Sequence, residues 1–530
     1  MRIRNNVKKV VYIIFIVFLL LCGCSKVEDE KVINYDKINE LIEYIDNIPL
    51  DVDAKDSDYI NYAFSLYDLL TEEEKKYITN YDSLLEAKAI IDEKIEELNA
   101  ITMALNKTYD LLDETIMSEL DESITNIDLL TSYEYNDKSV RISWTSSDRT
   151  IISVSGKVTH DFKNVRVKLI ASLYCQKQTL TFERDVLVKK QELEELGDKQ
   201  VVIGYYYGNY KPLTEIDYQT LDIINYSFAQ IKEENNKFFV DVKNIYDLSS
   251  FQEYRRNKVR VCLALGGWQD DVSAWDPYKN ACKTEESRKQ VASSILEVLE
   301  ENGLDGIDMD WEYPTSSDKT NFTLLMEEIY KTLKNANKNY IVSIAIPAGA
   351  WLDSRYELSK LNNCIDYFNV MSYDLESPNI TSHQSALYGS THATNNADSA
   401  VNYLISRGIS KSKIVIGAAF YGKIYTGVEN INNGLGQSFL TKKSISYTLI
   451  YQNYLTRLNN GVEKFYDEYS CSYYLYDSEN KTFICYDDVE AIKLKYKYVK
   501  DNNLGGLMYW SYNNDDTGQL MKAINEAMEK

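Results

Sequence analysis

Three histidines, His160, His383 and His392, are all that the 530 residues contain. No His-x-x-x-His pair exists among them, which argues against a histidine-rich zinc enzyme. Positive charge is also short: 58 Lys and Arg stand against 81 Asp and Glu, a net of -23. Neutralising a phosphate backbone takes a basic face, so the balance argues against a nucleic-acid partner and is compatible with a neutral polymer such as a polysaccharide. No cysteine pair has Cys-x-x-Cys spacing. Of the six cysteines after Cys24, Cys471 and Cys485 could bridge across a hairpin or stay as buried thiols. What the chain does have is a 44% hydrophobic share and 44 tyrosines, the make-up of a folded protein long enough for two to four domains.

The N-terminus reads as an export signal, with the basic "MRIRNNVKK" followed by the apolar "VVYIIFIVFLLL", which is of signal-peptide length. "LCGC" follows and resembles a bacterial lipobox, which implies cleavage after residue 23 and a lipid on Cys24. A plain signal peptide or an uncleaved anchor is the alternative. At about 0.8 kcal/mol per buried methylene, two or three acyl chains hold a protein firmly where one does not. The expected place is therefore outside the cytoplasm, on the cell membrane of a bacterium. Residues 24–34 form a charged tether.

Residues 35–99 repeat apolar positions at three and four, as in "INELIEYIDNI" and "YDSLLEAKAIIDEKIEEL", and resemble a small helical spacer module. Thr71 and Glu74 fit a capping box. Over 100–190 the texture changes: "ITMALNKTYDLLDETIMSEL" reads as a helix or transition, alternating runs follow it, and "WTSSD…ISVSGKV" resembles bacterial immunoglobulin-like domains, which implies a small β-sandwich with Trp144 in its core rather than as a sugar platform. "KKQELEELGDKQ" is a linker. From 198 to 530 eight apolar runs alternate with amphipathic segments, which points to a TIM (β/α)8 barrel. A doubly wound sheet is the runner-up, but no Gly-rich dinucleotide loop follows the first run. A long β-rich gap between the seventh and eighth runs predicts an α+β insertion over about 424–484. The fold class is thus α/β, preceded by an all-α module and a β-sandwich.

The fourth run, "LDGIDMDWEYP", carries Asp305, Asp308, Asp310 and Glu312. Alternation in a strand puts Asp308, Asp310 and Glu312 on one face and Ile307, Met309 and Trp311 on the other. The apolar set should face the helices, and the acidic set should line the barrel and rise to its mouth. Same-face neighbours stand about 6.6 Å apart. They repel by about 2.5 kcal/mol at an effective dielectric near 20, enough to raise one pKa by about two. A Glu near ~4.3 could thereby approach the roughly 6–7 useful to a general acid, without help from burial. A Ca²⁺ or Mg²⁺ site, or neutralisation by buried Arg or Lys, is the alternative. Trp and Tyr rather than further oxygen ligands end the other runs, which favours catalysis.

The Asp-x-x-Asp-x-Asp-x-Glu pattern of this stretch is similar to the signature of glycoside hydrolase family 18, the chitinases. "LALGGW", "IPAG", "NVMSYD", "AAFYGK", "FICYDDVEAIKLK" and "GGLMYWSY" extend the likeness over about 200–530. Ala264 and Lys423 depart from the Ser and Arg common there. The resemblance implies substrate-assisted retention. Glu312 would be the acid and base, Asp310 the holder of the acetamido N–H, Asp308 its tuner and Tyr373 the donor to the acetamido oxygen. Trp510 would floor the sugar subsite, with Asp374, Trp268, Tyr205, Tyr421 and Met371 shaping it and its neighbours. Core packing is the other reading of Trp510. No metal or organic cofactor is called for, and a monomer is expected. The implied substrate is a β-1,4-linked N-acetylglucosamine polymer. Peptidoglycan and the N-glycan core are its rivals; a non-cleaving lectin, or a scaffold whose N-terminal modules carry the main function through a partner, are alternatives of another class.

Overall fold

The computed structural model describes residues 32–208, 211–243, 245 and 248–529. Contacts group them into two compact units. One holds the described residues up to Leu112 with Thr131–Ser143 and Ser172–Thr181; the other holds Asp113–Leu130, Trp144–Ala171 and Phe182 onward.

In the first unit the helices Tyr35–Asp46, Ser57–Asp68 and Tyr81–Thr115 bury one face each. Ile38, Leu41, Ile45, Ile60, Ala63, Leu84, Ala87 and Ile91 share a core. The capping box at Thr71 and Glu74 forms as its spacing predicts and opens the short helix Glu72–Lys75. The change of texture near residue 100 is not an element boundary. Ile101, Ala104, Leu105, Thr108 and Leu112 are all buried and carry one helical face on to Thr115.

The strands Glu119–Leu120, Ser132–Tyr135, Lys138–Ser146, Val165–Cys175 and Gln178–Val188 form a single sheet in the order 1-5-4-3-2. Outside this sheet, isolated antiparallel bridges join Asn126 with Lys157 and Ile152 with Val158, and turns punctuate residues 147–160. Trp144 is buried, donates its indole N–H to the Leu130 carbonyl at 2.8 Å and meets Phe182 edge-on. It is a core residue.

The eight apolar runs each become a strand: β1 Val201–Tyr207, β2 Ile223–Glu234, β3 Arg260–Gly266, β4 Gly306–Asp310, β5 Ile341–Pro347, β6 Tyr367–Met371, β7 Ile414–Ala419 and β8 Gly506–Trp510. Each pairs in parallel with the next, and β8 pairs with β1, closing the barrel. Alternation sorts the side chains as the sequence predicts. Ile307, Met309 and Trp311 join the outer core beneath the helices, with Trp311 packed among Trp275, Tyr278 and Phe322. Val201, Ile203, Tyr205, Cys262, Val415 and Met508 cluster separately, on the barrel interior.

The insertion after β7 is a five-stranded antiparallel sheet of Tyr421–Thr426, Thr441–Ser446, Val462–Asp467, Ser472–Asp477 and Thr482–Tyr486, with the helix Tyr447–Asn453. It begins at 421 and ends at 486, two or three residues beyond the expected limits at each end. Cys471 and Cys485 are free thiols, Cys485 buried in the insertion's core and Cys471 half-buried at a turn.

Candidate active site

β4 sets three carboxylates at three levels. Asp308 is fully buried inside the barrel, and three neutral donors hold it. The Tyr205 hydroxyl on β1 donates to Oδ2 at 2.7 Å. Ser343 Oγ on β5 and Asn369 Nδ2 on β6 reach Oδ1 at 2.6 and 2.9 Å. Burial raises its pKa and the three hydrogen bonds pull it back.

Asp310 lies two residues further along the same face, at the end of the strand and 4% exposed. Its Oδ1 is buried with no hydrogen-bond partner among the described residues. Burial, then the charges of Glu312 and Asp308, hold its pKa well above the usual carboxylate range. Glu312 follows just past the strand, half-buried. Burial raises its pKa first and the Asp374 charge adds to that, while a hydrogen bond with Tyr313 opposes them. Repulsion within the acid column is therefore the second influence on Asp310, and it is not what raises Glu312. The leading cause is burial, because aromatic rings wall the barrel mouth. Gly266, at the end of β3, makes this arrangement fit. Its φ is +123°, and a Cβ there would lie 2.1 Å from the Asp310 carbonyl oxygen.

The facing wall comes from β6 to β8. The Tyr373 ring lies against Gly417 of β7, where a Cβ would come within 2.8 Å of Cε1. Burial and the charges of Asp310 and Glu312 push the Tyr373 pKa far up, so its hydroxyl stays protonated and able to donate. Asp374, at φ +58°, accepts from the Tyr421 hydroxyl at 2.7 Å and pairs with Lys423 Nζ at 2.7 Å. Trp510 ends β8 with its ring stacked on Phe228 at 5.7 Å and flanked by Tyr205 and Tyr207.

A cavity of about 900 Å³ unites these groups. It is lined by Asp310, Glu312, Tyr373, Asp374, Trp510, Tyr205, Tyr421, Met371 and Trp268, which leaves only Asp308 of the expected barrel residues off its surface, one layer below. Trp268 is at the rim, 67% exposed, with its indole N–H on Asp270 Oδ1 at 3.0 Å. Cys24 lies outside the described residues. Sequence reasoning missed Ser343, Asn369, Phe228, Tyr207 and the tie from Lys423 to Asp374. A signal existed for two of them, since Ser343 and Asn369 are lone polar residues inside the apolar runs "IVSIAIP" and "YFNVM".

A family model described as "Glycosyl hydrolases family 18" matches residues 201–515. The chain is 30% identical over 384 residues to Chitinase B of Serratia marcescens, covering 59% of this chain and 76% of that protein. It is 29% identical over 315 residues to Chitinase A1 of Niallia circulans, covering 53% of this chain and 44% of that one. Among solved structures, a glycoside hydrolase family 18 N-acetylglucosaminidase from Paenibacillus barengoltzii superposes with a TM-score of 0.57 at 30% identity, covering 62% of this chain and 100% of that chain. Chitinase ChiW from Paenibacillus sp. str. FPU-7, described as cell-surface-expressed, multi-modular machinery, superposes with a TM-score of 0.55 at 25% identity, covering 75% of this chain and 52% of that chain.

Proposed function

The chain belongs to glycosyl hydrolases family 18 and is a chitinase-like glycoside hydrolase; from that premise we propose that it cleaves β-1,4 linkages of N-acetylglucosamine polymers, chitin or its oligosaccharides, by substrate-assisted retention. The observation that carries this reading is the Asp310–Glu312 pair. Two carboxyls with raised pKa values, and with no cation beside them among the described residues, face a cleft between Tyr373 and Trp510. Such a pair holds a proton at a pH where an ordinary carboxyl has lost it.

Glu312 donates that proton to the glycosidic oxygen as the bond to the anomeric carbon breaks. The sugar's own N-acetyl carbonyl oxygen closes onto the anomeric carbon, giving an oxazolinium ion and releasing the leaving alcohol. Asp310 Oδ1, unpartnered until then, accepts the acetamido N–H and offsets the developing positive charge. The Tyr373 hydroxyl donates to the acetamido oxygen and aligns it. Glu312, now a carboxylate, takes a proton from water, whose oxygen opens the ring at the anomeric carbon and restores the acetamide. Asp308, pinned from three strands, fixes the level at which Asp310 stands.

Turnover of an aryl chitobioside by the full chain, lowered about 10³-fold in Glu312→Gln, separates this enzyme from a lectin of the same fold. Parallel digestion of chitohexaose, peptidoglycan and a high-mannose glycoprotein assigns the polymer. Efficient cleavage of fully deacetylated chitosan contradicts the acetamide mechanism. Attachment to the outer face of the membrane through a lipid on Cys24 belongs to the same proposal. It is supported by the "LCGC" motif and by the cell-surface description of ChiW. Detergent partitioning of a Cys24→Ser variant tests it, and unchanged membrane retention would count against it.

A further inference from the structure

A charge that this mechanism leaves unused is buried behind the wall that carries Tyr373. Lys495, on the helix Val489–Asn502, and Asp487, between the insertion's last strand and that helix, have side chains only 1% and 3% exposed. Lys495 Nζ lies 2.5 Å from Asp487 Oδ2 and 3.4 Å from the Gly417 carbonyl, and it also donates to Ser385 Oγ. Asp487 Oδ2 accepts from the Ala419 N–H of β7 at 2.8 Å and lies 3.0 Å from Ser385 Oγ. Burial lowers the Lys495 pKa and Asp487 works against that fall. An ion pair so deeply buried contributes little net stability over a well-packed apolar pair, because desolvation cancels most of the attraction.

The pair touches the backbone of the catalytic wall. Ser385 Oγ is 3.2 Å from the carbonyl of Ser372, the residue before Tyr373. Ser372 Oγ accepts from the Gly417 N–H at 2.8 Å and donates to the Gly417 carbonyl at 3.0 Å. Lys495 and Ser372 thus share one carbonyl, and the Tyr373 ring rests on that same glycine. On the far side, the Leu375 N–H donates to the Gln384 carbonyl at 2.9 Å. Tyr373 and Asp374 sit between two anchor points, one of which leads to the buried pair.

We propose that Asp487 and Lys495 are positioning residues for Tyr373: through Ser385, Ser372 and Gly417 they fix the ring so that its hydroxyl meets the acetamido oxygen of the bound sugar. The inference rests on the role given to Tyr373 above, and a misplacement of about 1 Å at a reacting centre can cost a hundredfold in rate.

The test compares Asp487→Asn, Tyr373→Phe, their combination, and the charge-free double variant Asp487→Asn/Lys495→Met. Turnover of an aryl chitobioside is measured well below each melting temperature and corrected for folded fraction. Asp487→Asn is expected to lower kcat by about 10–100-fold, with KM within about threefold. Combined with Tyr373→Phe it should be no slower than Tyr373→Phe alone, since the two changes remove one alignment. The charge-free double variant should regain melting temperature but not rate, which a purely structural pair would not do.

Full kcat per folded molecule in Asp487→Asn, or losses that multiply with those of Tyr373→Phe, would overturn the proposal, as would a double variant that regains both stability and rate. A fully active Tyr373→Phe overturns the role of Tyr373 and this inference with it. An impaired Tyr373→Phe beside an unimpaired Asp487→Asn overturns this inference alone. Should the double variant not fold, the Asp487→Asn and Tyr373→Phe pair still decides.

Discussion

The two ends of the acid stretch treat a buried carboxylate in opposite ways. At the lower end Asp305 is gripped by Arg255, with Nη2 on Oδ1 at 2.7 Å and Nε on Oδ2 at 2.9 Å, and it also takes the Val261 N–H at 2.8 Å. The guanidinium is in turn covered by the Phe162 ring, 4.2 Å away. At the upper end, five residues on, Asp310 has no cation paired with it and leaves one oxygen without a hydrogen-bond partner among the described residues. The same residue type is a structural clasp just before β4 and, at its end, the group that the proposed mechanism gives to the substrate. Asp308, between them, is held among the described residues by three neutral donors. What distinguishes the two ends is therefore the partner, because burial is common to both.

Substitution can break the contrast from either side. Glu312→Gln should have the largest effect, lowering kcat about 10³-fold on an aryl chitobioside with no loss of melting temperature, since it removes an acid and no clasp. Asp305→Asn should do the reverse. Leaving Arg255 buried without its anion should cost about 3–5 kcal/mol in urea unfolding, with KM of the folded enzyme near wild type. Asp310→Asn sharpens the comparison further. Stability should hold or rise, because a buried carboxyl without a cation is neutralised, while kcat falls about 10²-fold.

The pH dependence follows from the direction of the upper pair's shifts. Asp310 and Glu312 bind protons more readily in the folded chain than in the unfolded one. Their contribution to stability is thus fully present below the ordinary carboxylate range and is lost as pH rises through their raised values. Melting temperatures across pH should show that decline, with part of it missing in Asp310→Asn. The alkaline limb of kcat/KM should lie above the ordinary glutamate range, because the proposed mechanism needs Glu312 protonated. The smallest effect is expected from Trp268→Ala. It should raise KM for long oligosaccharides about three- to tenfold and leave kcat near wild type, as suits a contact at the exposed rim.

The barrel was legible in the sequence because each strand run carries its own signal: β-rich apolar residues at the right spacing, with charge concentrated where one face turns inward. The site was legible for the same reason, since its residues sit at the C-terminal ends of those runs and local alternation decides which way they point. What spacing could not reveal is who meets whom across the barrel. Arg255 lies in the helix Gln252–Arg256, outside any strand run, so nothing local assigns it to Asp305. Ser343 and Asn369 look like incidental polar residues until closure brings them onto Asp308. Sequence spacing points to repulsion as the source of the titration shifts, because it gives distances along a strand and says nothing of the walls that exclude water. The helical reading of "ITMALNKTYDLLDETIMSEL" holds as far as Thr115, and the apolar face runs through the change of composition near residue 100 without a break.

Gly266 leaves this protein little room for change. Its hydrogen atom occupies a space one carbon too small for any other residue, directly under the carbonyl of Asp310. Even alanine, which brings no charge and no polar group, would have to lift the backbone that bears the carboxylate. Random libraries of this enzyme should therefore return glycine at 266 among active clones and tolerate variety at the Trp268 rim, with the gap of a single methyl group marking where shape becomes chemistry.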